Sequence, residues 1–217
     1  MTIETIIKLL LINALGSLQI FCYSLIGALI LGVLVCFLRM RKFFLVRLIT
    51  QFYISVMRGT PLMLQLFVVF FGPGLAFGVS LGSGYKFIAI LIAFILNYAA
   101  YYAEIYRSGL VSIPQGQYEA ANVLGYSHLQ TFFRVILPQV VKRILPAMSN
   151  EVISLVKDTS LAFTLGFAEM FSEAQNIVSN YANLWAFVIA AAVYYLFNLL
   201  IAFIMNRGEK KLSYYHE

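Results

Sequence analysis

Residues 9–38 and 174–206 run for 30 and 33 residues without one charged side chain. An apolar helix of about 20 residues crosses a bilayer, and in lipid every backbone polar group must find its partner within the protein, which favours helices. A transmembrane barrel needs short segments of alternating polarity, and these runs do not alternate. With 62% of its residues hydrophobic and 11% charged, the chain reads as an all-α, polytopic membrane protein. Lys8 stands before an apolar run much longer than a signal core, with no small-residue cleavage pattern closing it, so the first run is expected to be a retained span. Cys22 and Cys36 both lie in that run and are expected to pack as small side chains rather than pair.

The net charge of +6 follows membrane topology rather than a nucleic-acid surface. Arg39, Arg41, Lys42 and Arg47 form one basic group; Arg107, Arg134, Lys142 and Arg143 form a second; Arg207, Lys210 and Lys211 form a third. They occupy alternate connections, whereas 72–84 carries no Lys or Arg. Five transmembrane helices satisfy this pattern, at about 15–38, 48–71, 85–106, 147–170 and 184–205, with a short helix at 3–11 ahead of the first. The whole chain, 1–217, is then one transmembrane domain, with its N-terminus outside and its C-terminus in the cytoplasm. Pro73 and the glycines at 72, 74, 78, 82 and 84 predict an outer loop. Gly16, Gly27 and Gly32 suit close helix contact inside the bundle.

Between the third and fourth spans lies a polar segment, 114–140. Pro114 and Gly116 mark a turn, Ala120 and Ala121 favour a short helix, and Gly125 suits its left-handed cap. Ser127 then caps a second helix with Leu129, Phe132, Phe133 and Ile136 as its apolar positions and Pro138 as a stop or kink. Two readings fit such a segment: an amphipathic helix resting on the inner membrane surface, or a projection that docks on a second protein.

Glu119, Ala120, Ala121, Gly125, Leu137 and Pro138 stand at fixed spacings over this segment, with Val135 two residues before Leu137. That pattern resembles the cytoplasmic signature of permease subunits of binding-protein-dependent ABC importers, in which Ile is usual where Val135 stands. The runs Arg58-Gly59-Thr60-Pro61-Leu62 with Gln65, Ala100-Tyr101-Tyr102-Ala103-Glu104 with Arg107, and Asn150-Glu151 with 155–161 are similar to those of the polar amino acid class. The resemblance implies a type I importer permease fold with a coupling segment docked on a cytoplasmic ABC ATPase. It also implies a second permease subunit, identical or paralogous, an extracytoplasmic solute-binding protein, and a bacterial cytoplasmic membrane location. Glu119 either pairs with a basic ATPase residue or caps its own helix.

Charged side chains within spans cost about 2.5–3.5 kcal/mol on insertion scales and mark candidate sites. Arg58, Glu104, Glu151 and the Lys157–Asp158 pair all qualify. Gly59-Thr60-Pro61 is expected to break the second helix, because proline lacks an N–H and crowds the preceding turn; the segment 157–160, with Gly166 beyond it, marks a break in the fourth. Broken helices near the midplane commonly build transporter sites. An amino acid brings a carboxylate and an ammonium, neither of which leaves water unpaired without great cost. Arg58, Thr60, Gln65, Asn97, Glu104, Glu151, Asp158, Thr159 and Ser160 supply the matching chemistry, with Thr159 and Ser160 foremost. The alternative is that Arg58 with Glu104, or Lys157 with Glu151, forms a structural ion pair.

The chain lacks a Gly-x-x-x-x-Gly-Lys-Ser/Thr phosphate loop, a His-Glu-x-x-His pair and a nucleophile elbow. It is therefore expected to need no cofactor of its own, with ATP and magnesium held by the partner ATPase. His128, in the docking segment, is expected to be a surface contact, and His216 lies in the tail. Two other classes compete: an intramembrane enzyme using Glu104 and Asp158 as paired carboxylates, and an ion-driven secondary transporter. The leading expectation is a non-enzymatic translocation subunit for a polar L-amino acid.

Overall fold

The computed structural model describes residues 1–78, 82 and 84–212, and His216 lies outside them. Nine α-helices follow one another among these residues: α1 (Ile3–Arg39), α2 (Phe44–Gly59), α3 (Leu62–Phe77), α4 (Tyr85–Val111), α5 (Gln115–Val123), α6 (His128–Gln130), α7 (Leu137–Asp158), α8 (Met170–Tyr181) and α9 (Trp185–Leu212). A π-helical turn, Thr131–Ile136, joins α6 to α7, and a 3-10 segment, Thr159–Leu165, extends α7. No strand occurs among the described residues.

The first helix departs from expectation. It is one helix of 37 residues, about 55 Å long at 1.5 Å per residue, not a short helix at 3–11 followed by a span. Nothing between the two parts breaks it, and Asn13 turns its Nδ2 back onto the Leu9 carbonyl at 3.0 Å. Its first turns are put to use, since Ile6 and Leu10 are buried against Met170 and Ile177 of α8 and Ala186 and Ala190 of α9. Glycines seat the rest of α1. A Cβ on Gly32 would lie 2.9 Å from Tyr102 Cβ of α4, and one on Gly16 would lie 2.6 Å from the Ala168 carbonyl oxygen.

Helix α4 is the centre of the bundle, with α1, α2, α3 and α7 all packed on it. Its buried side, with Ile90, Phe94, Tyr98 and Tyr102, meets Ile20 and Ala28 of α1, Leu66 of α3 and Leu155 of α7. Beside Ser17, near the middle of α1, Glu169 is fully buried, yet four donors satisfy its carboxylate. The Ser17 and Tyr194 hydroxyls each donate to it at 3.1 Å, and the Phe171 and Ser172 amides at 2.8 and 2.6 Å. The same carboxylate thus caps α8 and ties it to α1 and α9, so a buried polar group keeps its hydrogen-bond partners among apolar helices.

Helices α1, α4 and α9 are each long and apolar enough to cross a membrane, and α2 with α3 pass that test as a pair bent by 111°. The region read as one span at 48–71 is therefore two helices. Pro73 sits inside α3 rather than in a loop, and the chain leaves that helix at Gly78 in a left-handed conformation. The region read as a span at 147–170 is likewise composite. Helix α7 has span length at 22 residues but carries Lys142, Arg143, Glu151, Lys157 and Asp158. It tightens to 3-10 geometry at Thr159 and turns at left-handed Gly166 into α8.

Candidate solute cavity and docking segment

The break between α2 and α3 builds a polar site inside the bundle. In an unbroken helix the Met57 carbonyl would accept from the amide four residues on, but that residue is Pro61, which has none. Two side-chain amides replace it. Asn97 Nδ2 donates to Met57 O at 2.9 Å, and Gln65 Nε2 donates to the same oxygen at 3.0 Å. Thr60 turns its hydroxyl back onto Val56 O at 2.8 Å, while Gln65 also reaches Thr60 O and Thr60 Oγ1 at 3.1 and 2.8 Å. Asn97 Nδ2 further bonds Gln65 Oε1 at 3.0 Å. The Val56, Met57 and Thr60 carbonyls at the bend are thus met by side chains from inside the chain, as a low-dielectric setting favours.

Beside this knot opens a cavity of about 430 Å³, within the range of roughly 300–1,000 Å³ usual for small-molecule sites. Thr60, Pro61 and Leu62 form one wall, Asn97, Tyr98 and Tyr101 of α4 a second, and Glu151, Ser154 and Asp158 of α7 a third. The Tyr98 hydroxyl donates to Asp158 Oδ2 at 2.7 Å and so fixes one carboxylate across the space. Arg58 lies outside the lining, with its guanidinium carbon 5.2 Å from the centre of the Tyr101 ring. The lining therefore holds two carboxylates, an amide and several hydroxyls, and no Lys or Arg.

Of the nine residues expected to serve solute, Thr60, Asn97, Glu151 and Asp158 meet in this cavity, with Gln65 behind and Arg58 at its edge. Three do not. Glu104 is clasped by Arg107, whose Nη2 lies 2.7 Å from Oε2, and faces Arg39 Nε at 3.7 Å, so it joins the ends of α1 and α4. Its partner is not Arg58. The two acids an intramembrane enzyme would pair are each engaged elsewhere, Glu104 by Arg39 and Arg107 and Asp158 by the Tyr98 hydroxyl. Thr159 is 1% exposed and gives its hydroxyl to Val156 O at 2.7 Å. Ser160 bonds Lys157 O at 2.8 Å and, with the Lys157 side chain, lines a different cavity of about 650 Å³ toward α8 and α9. Lys157 and Glu151 thus look into separate spaces. Tyr98 and Ser154 carry no sequence signal, and Tyr101 stands out only within the run 100–104, because an aromatic or hydroxyl residue in a span has no charge penalty to flag it. Glu169 was equally missed, although its charge between two apolar stretches was a usable signal.

The polar segment has its own geometry. Helix α5 ends in a Schellman turn, with the Gly125 amide on Asn122 O at 3.0 Å, the Tyr126 amide on Ala121 O at 3.1 Å and Gly125 at φ 78°. Ser127 and Gln130 form a reciprocal capping box for the next helix. Pro138 does not stop that helix. The Leu137 amide reaches back five residues to Phe132 O, and this π-helical turn carries the chain through proline into α7. Leu129, Phe132, Phe133 and Ile136 do not share one face. Ile136 is buried with Ile113 and Val140, while Leu129 and Phe133 are 72% and 60% exposed. Val123 and Leu124 join them outside at 86% and 75%. Ala121 is buried, Glu119, Ala120 and Gly125 are exposed, and Leu137 and Pro138 are half-buried. His128 is exposed as well.

The sequence profile of the binding-protein-dependent transport system inner membrane component family matches residues 24–214. The chain belongs to this family. Among its relatives is the L-cystine transport system permease protein TcyB of Bacillus subtilis, 40% identical over 195 residues covering 88% of this chain and 81% of that protein. The arginine transport system permease protein ArtQ of the same organism is 37% identical over 91% of this permease and 89% of its own length. A putative glutamine transport system permease protein, GlnP of Rickettsia bellii, is 34% identical over 91% of each chain. In three dimensions the permease superposes on a chain of an amino acid ABC transporter crystallised with histidines, at a TM-score of 0.84 and 30% identity over 94% of each. A chain of the inward-facing MetNI methionine ABC transporter shares the fold at a TM-score of 0.73 and 18% identity, over 98% of this permease and 99% of that chain. The chain is thus a multi-pass membrane permease of the amino acid ABC importer class.

Among the described residues, no group of three or more His, Cys, Asp or Glu is placed to hold a metal ion.

Proposed function

We propose that this permease carries a polar L-amino acid across the cytoplasmic membrane through the cavity between Thr60, Asn97, Glu151 and Asp158, driven by an ATPase docked on segment 114–140. The observation that carries the reading is the cavity itself: two carboxylates, an amide and hydroxyls collected at a helix break inside an apolar bundle. Carboxylates suit the ammonium of an amino acid, and the amide and hydroxyls suit the rest of a zwitterion that must leave water without losing its partners. The relatives named for cystine, arginine and glutamine support the solute class. Helix α7, polar on its cavity side, serves as the fourth of five spans, and the basic groups around Arg39 and Arg207 lie in the cytoplasm.

The exposed apolar quartet of Val123, Leu124, Leu129 and Phe133 supports docking, because side chains so prominent on an otherwise polar projection suit a partner's groove. Energy then enters from outside the chain. ATP and magnesium bind the partner ATPase, closure of the ATPase moves α5 and α6, and the helical continuity from α6 through α7 transmits the movement to Glu151 and Asp158. A second permease subunit and an extracytoplasmic binding protein complete the assembly. Isolation of the membrane complex tests this directly. A stoichiometric ATPase is expected to co-purify, and nucleotide-dependent uptake of a polar amino acid by the reconstituted complex is expected to fail with Asp158→Asn. Uptake driven by an ion gradient without nucleotide would overturn it.

A further inference from the structure

Helix α2 has three faces, of which two are accounted for. Thr50 and Ile54 are buried, with half-buried Tyr53 and Met57 beside them. Tyr53 donates to the Leu96 carbonyl of α4 at 2.6 Å, and Asn97 reaches Met57 O. Leu48, Ile49, Phe52 and Val56 are exposed apolar side chains, suited to lipid. The third face carries Arg47, Gln51, Ser55 and Arg58, all exposed. At 3.6 residues per turn they fall within an arc of about 80° and extend along about 16 Å of helix. Charged and amide side chains do not face lipid at that depth without paying heavily in lost hydration, and inside membrane proteins they turn to a partner or a water-filled space.

We propose that this face is the wet wall of the inner half of the solute route, running from the cavity to the cytoplasmic surface. The proposal rests on the function given above and assigns Gln51 and Ser55, which no motif singles out, as route-lining residues. Three observations set water, rather than protein or lipid, against the face. Its upper end is continuous with the cavity, because Arg58 stacks on the cavity residue Tyr101 and the next turn supplies Thr60 and Pro61. Its lower end meets the basic group of Arg41 and Lys42, both exposed. Across the groove, α7 packs on α4 as α2 does, and it continues the cavity lining downward from Asp158 through Ser154 and Glu151 to exposed Asn150. A polar face of α2 and a polar face of α7 thus both lead from the cavity toward the C-terminal end of α4, where Ile54 packs with Ala103 and Ile144 meets Gly109.

Thiol accessibility in the assembled complex tests this. Gln51→Cys, Ser55→Cys and Phe52→Cys are made in a Cys22→Ser, Cys36→Ala background and exposed, in inside-out membranes, to a charged membrane-impermeant thiol reagent. Gln51→Cys and Ser55→Cys are expected to label at least tenfold faster than Phe52→Cys, which lies about 60° around the helix from the stripe. Equal rates at all three positions would overturn the proposal. So would protection of Gln51→Cys and Ser55→Cys combined with oxidative cross-linking of either to its counterpart in a second permease subunit, which would make the face a dry subunit contact. Uptake by the unsubstituted complex is measured in parallel. Failed uptake with fast labelling would refute the transport reading and leave the wet face standing, whereas normal uptake with no labelling would refute the wet face alone. Ser55→Trp adds a readout independent of reagent chemistry: it is expected to cut uptake at least tenfold while Phe52→Trp retains it, and equal uptake by the two would count against the route.

Discussion

Replacing Asn97 by Leu isolates the physical device that builds the cavity. Asn97 is 5% exposed and spends both observed donor bonds on the break, one on Met57 O at 2.9 Å and one on Gln65 Oε1 at 3.0 Å. Leucine occupies a comparable space and supplies neither hydrogen. A typical intramolecular hydrogen bond contributes about 0.5–1.5 kcal/mol net, so two give roughly 1–3 kcal/mol. Met57 O keeps its bond from Gln65, which holds the loss near this range rather than at the higher cost of a wholly orphaned carbonyl. For domains of 150–250 residues 1 kcal/mol moves the midpoint by about 2–4 °C, so the thermal midpoint of the purified complex should fall by about 2–12 °C. Uptake should fall with it, since Thr60, Pro61 and Asn97 all line the cavity. Unchanged midpoint and unchanged uptake would refute the claim that side-chain amides replace the hydrogen bond that Pro61 lacks.

Other substitutions separate packing, coupling and selectivity. Gly16→Ala places a Cβ 2.6 Å from the Ala168 carbonyl and should destabilise by about 1–3 kcal/mol, as overpacking does. Gly72→Ala, with open space around it in α3, should instead raise the midpoint slightly, since glycine inside a helix costs about 0.5–1 kcal/mol relative to alanine; thermal unfolding in detergent reads both. Glu104→Gln should weaken the clasp with Arg39 and Arg107 and lower the midpoint without changing which amino acids compete for uptake, whereas Glu151→Gln should change that competition profile. Gly125→Pro, which forbids the φ of 78° at the Schellman turn, and Glu119→Lys should leave the chain inserted but uncouple ATP hydrolysis from uptake. Normal transport by both would show that segment 114–140 does not couple hydrolysis to uptake.

Much of this protein is legible in its sequence, for identifiable reasons. The break at Thr60–Pro61 follows from one missing N–H, and the cap at Gly125 from one positive φ. Fusion of the first helix with its span is not legible, because an expectation of about 20 residues for spans hides a helix whose first turns pack on α8 and α9. The cavity members were only partly legible: charge flags Glu151 and Asp158, but it flags Glu104 equally. Only three-dimensional placement shows that Arg39 and Arg107 claim Glu104. Thr159 and Ser160 follow the same logic in reverse, since a hydroxyl at a helix break is as able to satisfy its own backbone as to meet a solute, and here both do the former. Span number depends on α7, whose charges hide it from any test of apolarity.

If a separate ATPase drives a polar amino acid through the cavity beside α7, ATP hydrolysis by the complete complex, with its binding protein, in liposomes depends on the amino acid supplied, and screening the common amino acids and cystine reads this out. Polar amino acids are expected to stimulate hydrolysis with matching uptake, both lost on Asp158→Asn; hydrolysis that no amino acid stimulates, or transport undiminished by that substitution, would rule this mechanism out.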